Sequence, residues 1–166
     1  MFEKIKRFVD FNLRYLGDPP WDTGVSPPEL IDFLDSAEPG RALDLGCGSG
    51  TNLLTLAKRG WDVVGVDMAV IPVMRARTRL RDANVEGRVI RGDVTKDLGL
   101  QSPFGLVLDI GCYHALTSQG RVDYRQKLKE RLKLGGTFLL YAHRRTSPGD
   151  SHGIVEADLE SLQNFL

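Results

Sequence analysis

Residues 42–67, ALDLGCGSGTNLLTLAKRGWDVVGVD, constrain this chain more than any other stretch. An apolar strand runs into a turn with glycine at 46, 48 and 50, a helix-forming run follows, and a second apolar strand closes on Asp67. That order is a βαβ half-unit of the nucleotide-binding kind. Glycine at alternate positions lets the backbone turn sharply and approach a ligand without Cβ clashes. The dinucleotide fingerprint G-x-G-x-x-G needs its third glycine at position 51, where this chain carries Thr51. The turn therefore does not reproduce a pyrophosphate cradle. A nucleoside without a diphosphate is the expected ligand, and an NAD(P)-dependent oxidoreductase is the disfavoured rival.

Periodicity extends this unit in both directions. Phe2, Ile5, Phe8, Val9, Leu13 and Leu16 recur at spacings of three and four, which predicts an amphipathic helix stopped at Gly17, either a lid or a packed arm. Residues 17–28 hold four prolines and two glycines and predict a loop, with Pro28 opening a helix to about Leu34. Strands are expected at 42–45, 62–66, 88–91, 105–109 and 137–142, and helices at 51–59, 72–81 and about 122–134. Alternating strands and helices predict an α/β fold, a Rossmann-like, doubly wound and mainly parallel sheet in three α/β/α layers. One domain over 1–166 is expected, with 1–40 as an N-terminal helix and covering segment and 41–166 as the Rossmann-like core.

Bulk properties exclude several function classes. Lysine plus arginine and aspartate plus glutamate each number 22, so no net field attracts nucleic acid or an anionic membrane. Arg75, Arg77, Arg79 and Arg81 suggest a nucleic-acid stripe, but a period of two spreads them around a helix, which reads as a solvated surface. Lys4, Lys6, Arg7 and Arg14 leave peripheral membrane contact as a minor reading. No run is long and apolar enough to span a bilayer, and charges interrupt residues 1–16 where a signal peptide needs a continuous apolar stretch. The two cysteines, Cys47 and Cys112, lack zinc-ligand spacing and fit a reducing cytoplasm, and no metal is expected.

The segment Asp44-Leu45-Gly46-Cys47-Gly48-Ser49-Gly50 with Asp67 resembles the first motif of class I S-adenosylmethionine-dependent methyltransferases. Gly92-Asp93-Val94 and the 109–114 stretch DIGCYH follow in the order that family shows. Pro20-Trp21-Asp22-Thr23-Gly24 with Pro28-Glu29-Leu30 resembles the entry segment of bacterial small-molecule methyltransferases of the thiopurine, thiol and tellurite type. The resemblance covers roughly residues 19–160. It implies S-adenosylmethionine as cofactor, S-adenosylhomocysteine as product, a small-molecule acceptor and in-line methyl transfer. The family fold carries two further strands after the fifth, which this chain lacks room for. Phe138-Leu139-Leu140-Tyr141 would then be an apolar edge, and edge pairing into a homodimer is one expectation. A cofactor-binding module with weak or no catalysis is the rival reading of the short C-terminus.

Site assignments follow, several with an alternative. Gly46, Cys47, Gly48, Gly50 and Asn52 surround the amino-acid end of the cofactor, with the helix from Thr51 presenting its N-terminus to the carboxylate. The resemblance gives Asp44 the cofactor's amino group. Asp67 can accept from both ribose hydroxyls or cap the next helix. Asp93 can accept from the exocyclic adenine amine or form an ordinary Asx turn, with Val94 on one face of the ring. Met68 covers the other face or fills core. Asp109, Tyr113 and His114 stand where substrate should meet cofactor. His114 is a candidate base or a structural hydrogen-bond partner, and Tyr113 a candidate wall of the acceptor pocket or cofactor contact. By resemblance Trp21, Thr23 and Gly24 close over the cofactor; otherwise Trp21 anchors its loop. His143 and Arg144 face an anionic acceptor or protect the edge.

Overall fold

The computed structural model describes residues 2–101, 103–145 and 153–166. Five strands, β1 (Arg41–Leu45), β2 (Asp62–Asp67), β3 (Arg88–Arg91), β4 (Phe104–Ile110) and β5 (Leu132–Tyr141), form one sheet in the order β3-β2-β1-β4-β5. Every ladder is parallel. The direction of winding reverses between β1 and β4, so the carboxyl ends of these two strands open the crevice in which such sheets bind ligands.

Among the described residues the α-helices are α1 (Phe2–Arg14), α2 (Pro28–Ser36), α3 (Thr51–Lys58), α4 (Val70–Asp82), α5 (Ser118–Arg131) and α6 (Glu156–Gln163). Alternation along the central strands sends side chains to two separate cores. Ala42, Val63, Leu106 and Leu108 pack with Leu30, Leu34, Leu53, Leu56, Val73, Ala76 and Leu80 of α2, α3 and α4. Leu43, Leu45, Val64, Val66 and Val107 pack with Tyr124 and Leu128 of α5 and Leu162 of α6. The doubly wound α/β fold predicted from the sequence is thus present, in three layers.

Two predicted elements are redrawn. The helix before β5 starts at Ser118 rather than Val122, because the Thr117 hydroxyl caps it by accepting from Gly120 N at 3.1 Å. It ends at Arg131, and the chain passes directly into β5. Phe104 pairs with Leu132 but Leu106 with Thr137, so residues 133–136 are extruded as a bulge in which Leu134 is 99% exposed and Gly135 has φ 73°. Gly135-Gly136 therefore forms a bulge inside a strand, where the sequence predicted a helix stop.

The N-terminal helix turns a different face inward from the one expected. Val9, Leu13 and Leu16 are exposed, while Tyr15 is buried; the side chains of Phe2 and Ile5 lie outside the described ones. Asn12 Oδ1 accepts from Val70 N at 2.9 Å and Ile71 N at 3.2 Å, capping α4 from another helix. After β5, Arg144 and Ile154 make one parallel bridge.

Candidate functional site

The glycine turn sits at the carboxyl end of β1. Gly46 N and Cys47 N both donate to Val66 O, at 2.8 and 3.0 Å, which ties the turn to β2. Gly46, Gly48 and Gly50 all have positive φ, at 81°, 53° and 83°. A Cβ on each would also strike protein: Cys112 Cβ at 2.5 Å, Tyr15 Oη at 2.6 Å and Ala76 Cβ at 2.8 Å, respectively. The glycines are demanded by the packing of the loop after β4, of α1 and of α4 against the turn, beyond any demand from a ligand. Cys47 turns its side chain into the core, and burial pushes its thiol well above the usual range.

Three carboxylates converge below the turn. Asp44 is 1% exposed, and its Oδ2 has no hydrogen-bond partner among the described residues. Burial, then the charges of Asp109 and Asp67, hold its carboxyl well above the ordinary range. Asp67 Oδ1 accepts from Ala69 N at 2.8 Å and Oδ2 from Gly48 N at 3.1 Å; burial still raises its pKa against these bonds. Because Asn12 caps α4, Asp67 is released from the capping role that competed with ribose binding, and each oxygen keeps a lone pair. Asn52, on the first turn of α3, also buries an unpaired Oδ1. Orphaned acceptors beside clustered negative charge suit a ligand bearing cationic and N–H or O–H groups.

After β3, Asp93 Oδ1 accepts from Thr95 N at 2.9 Å and Thr95 Oγ1 at 2.6 Å, so the Asx turn exists. Val94 is buried at 6% exposure and Met68 is half-buried at the end of β2. Gly92 N donates to Asp67 O at 2.9 Å, joining the ends of β2 and β3.

The loop after β4 departs from its expected roles. Asp109 is fully buried; its Oδ1 accepts from Cys112 N and Tyr113 N, and its Oδ2 from Tyr113 N and Tyr124 Oη at 2.7 Å. Burial outweighs these bonds and its pKa is pushed up to about 6. Asp109 organises its own loop rather than presenting a carboxylate to the crevice. Tyr113 lies in the core on the α5 side, 5.2 Å from the Tyr124 ring centroid, with its hydroxyl accepting from Arg125 at 3.0 Å. That placement removes it from the acceptor wall. His114 Nδ1 accepts from His143 N at 3.2 Å, which leaves the ring proton on Nε2 and joins the loops after β4 and β5.

In the entry segment the contacts fall beside the expected residues. Thr23 and Gly24 are exposed, and the Thr23 hydroxyl bonds only to Val25 backbone atoms among the described residues. Asp22 instead accepts from Ser49 Oγ at 2.6 Å, and Trp21 Nε1 donates to Tyr15 Oη at 3.2 Å. Trp21 is 44% exposed, with Phe11 and Tyr15 edge-on and the Arg14 guanidinium 5.3 Å from its ring centroid. Tyr15 and Asp22 are contacts on the turn that the sequence reading omitted. Asp22 lay inside the quoted motif; Tyr15 carried no local signal. Arg144 pairs with Glu156 and is exposed. No His, Cys, Asp and Glu cluster fit to hold a metal occurs among the described residues.

A family model described as a methyltransferase domain matches residues 42–136, more than half of the chain, from β1 through the bulge in β5. The chain belongs to that family. Among curated relatives it is similar to the 2-heptyl-1-hydroxyquinolin-4(1H)-one methyltransferase of Mycobacteroides abscessus, 25% identical over 150 residues, covering 87% of this chain and 66% of the relative. It is also similar to the ribosomal RNA small subunit methyltransferase C of Alcanivorax borkumensis, 30% identical over 119 residues, covering 70% of this chain and 36% of that protein. The chain thus spans less than two thirds of the length of either. Among solved structures, a TehB-like SAM-dependent methyltransferase from Corynebacterium glutamicum superposes with a TM-score of 0.67 at 26% identity, covering 82% of this chain and 70% of that one.

Proposed function

We propose that this methyltransferase-family chain transfers a methyl group from S-adenosylmethionine to a small-molecule acceptor. The observation that carries the reading is the buried, unpartnered Asp44 Oδ2 among carboxylates at the switch point, below the glycine turn. Such a pocket favours a ligand with a positive charge, and S-adenosylmethionine carries an ammonium and a sulfonium. When bound, the sulfonium supplies an electrophilic methyl group with a neutral leaving group.

The chain's own residues then divide the work. Asp44 would accept from the ammonium, Asn52 and the turn would hold the amino-acid end, Asp67 would accept from the ribose hydroxyls and Asp93 from the adenine amine, with Val94 and Met68 as the apolar contacts of the base. Tyr15, Trp21 and Asp22 cover the turn and exclude water, so that alignment supplies most of the rate. Because His114 Nδ1 is engaged by His143 N, His114 orients the loops rather than removing a proton. That favours an acceptor needing little base catalysis, such as a thiolate or an acidic hydroxyl. The quinolone relative, named for a hydroxy compound, fits this class.

The balanced charge supports a small acceptor over RNA, although several relatives are rRNA methyltransferases. Free Cys47 and Cys112 support a reducing, cytoplasmic setting. No described helix is long and apolar enough to cross a membrane. β5 is an edge strand among the described residues, and its half-buried Phe138, Leu139 and Leu140 support a homodimer formed through it; the single sheet with its two cores supports reading 1–166 as one domain.

Calorimetry with S-adenosylhomocysteine tests the cofactor reading. Low-micromolar binding that is weakened at least tenfold in Asp67→Asn is expected, since a carboxylate bonded to hydroxyls contributes roughly 1.5–3 kcal/mol. Absence of binding to the wild-type chain overturns it.

A further inference from the structure

Arg131, the last residue of α5, is 5% exposed and points into the protein interior. Burying a guanidinium is costly unless its donors are met. Here Nη1 donates to Val94 O at 2.9 Å and Nη2 to Lys96 O at 2.6 Å. Both acceptors are main-chain carbonyls of the turn after β3. A planar fork with fixed donor directions meets two such carbonyls at once, whereas an ammonium on a flexible stem is a point donor.

The turn that Arg131 grips carries Asp93. It is closed internally by Lys96 N to Asp93 O at 2.9 Å and by the two bonds from Thr95 to Asp93 Oδ1. It is tied to β2 through Gly92 N and Asp67 O. These local bonds set the shape of the turn, but each joins it to itself or to the sheet. Arg131 fixes it from below, to α5, across the buried Val94, by two buried bonds; the Lys96–Asp123 ion pair, 3.6 Å long and solvent-exposed on the lysine side, is a weaker second tie to the same helix. The Asp93 and Asp97 carboxylates lie close enough for their charge to act on the guanidinium.

We infer that Arg131 is a positioning residue for purine recognition: by holding the Val94 and Lys96 carbonyls, it sets Asp93 to accept from a 6-amino group and thereby fixes the preference for adenine over hypoxanthine. This rests on the reading of Asp93 as the base-binding carboxylate. A hypoxanthine offers a carbonyl at that position, which faces the carboxylate without a donor and leaves both acceptors unmet.

The test compares binding of S-adenosylhomocysteine and S-inosylhomocysteine by calorimetry to the full chain. Wild type should prefer the adenine form by about tenfold or more. Arg131→Met, which keeps the stem but removes both donors, should weaken S-adenosylhomocysteine about tenfold and leave S-inosylhomocysteine within threefold, so that discrimination collapses. Arg131→Lys should fall between the two, and it carries the comparison if the methionine variant does not fold. A wild type that does not discriminate overturns the reading of Asp93 and the inference with it. A wild type that discriminates, with variants that weaken both ligands equally or neither, overturns the role of Arg131 alone.

Discussion

At the scale of single residues, Asp109 shows how an acid can be kept for structure at some cost in stability. Its carboxylate accepts from two backbone amides and from Tyr124, yet burial pushes its pKa up to about 6. In the unfolded chain an aspartate titrates near 3.9. A folded pKa above the unfolded one means that the folded state binds more protons between the two values, so stability from this group is full below about pH 4 and is lost as pH rises towards 6. The loss is on the order of 3 kcal/mol for a shift of this size. Asp109→Asn retains Oδ1 for the Cys112 and Tyr113 amides and can donate from Nδ2 to the Tyr124 oxygen. The variant should therefore gain on wild type by up to that amount between pH 4 and 7, measured by urea unfolding across pH; a constant difference would contradict the assignment.

The elements reveal which couplings a sequence displays. Strand, turn, helix and strand over 42–67 were legible because each boundary is local: glycine at the turn, Gly60 after the helix, apolar runs between. The start of α5 was not, because Thr117 caps a first turn containing Gly120 and the helix buries only Tyr124, Leu128 and Arg131. The inward face of α1 was also hidden, since the side chains that engage the body include Asn12 and Tyr15, which an apolar count passes over. For the same reason Tyr15 beside Gly48 and Arg131 below Val94 left no trace in spacing: each is made by a partner distant in sequence. α4 has no cap of its own, Ala69 preceding it, and takes one from Asn12. Asn12→Ala should cost about 1 kcal/mol, lowering Tm by roughly 2–4 °C, and Asn12→Asp should restore it. A scanning-calorimetry trace unchanged by the alanine would show that α1 adds nothing to α4.

For the molecule as a whole, the sheet has one short edge and one long one. β3 spans four residues, whereas β5 spans ten with Phe138, Leu139 and Leu140 only half-buried. A long edge with apolar residues on both faces recruits another strand unless something covers it. Sedimentation velocity over a rising concentration series should show a dimer; a mass that stays monomeric at the highest concentration would count against pairing through β5.

The extruded residues 133–136 interrupt the pairing of β5 with β4 at the amino end of β5, while the crevice opens at the carboxyl ends of β1 and β4. Leu134 is almost wholly in solvent, and a side chain at Gly135 would meet nothing within 4 Å. The protrusion is thus a natural splice point: a tag, fluorophore or guest peptide inserted between these two residues would lie at the opposite end of the sheet from the glycine turn, giving a handle for immobilising the protein with its crevice facing solution.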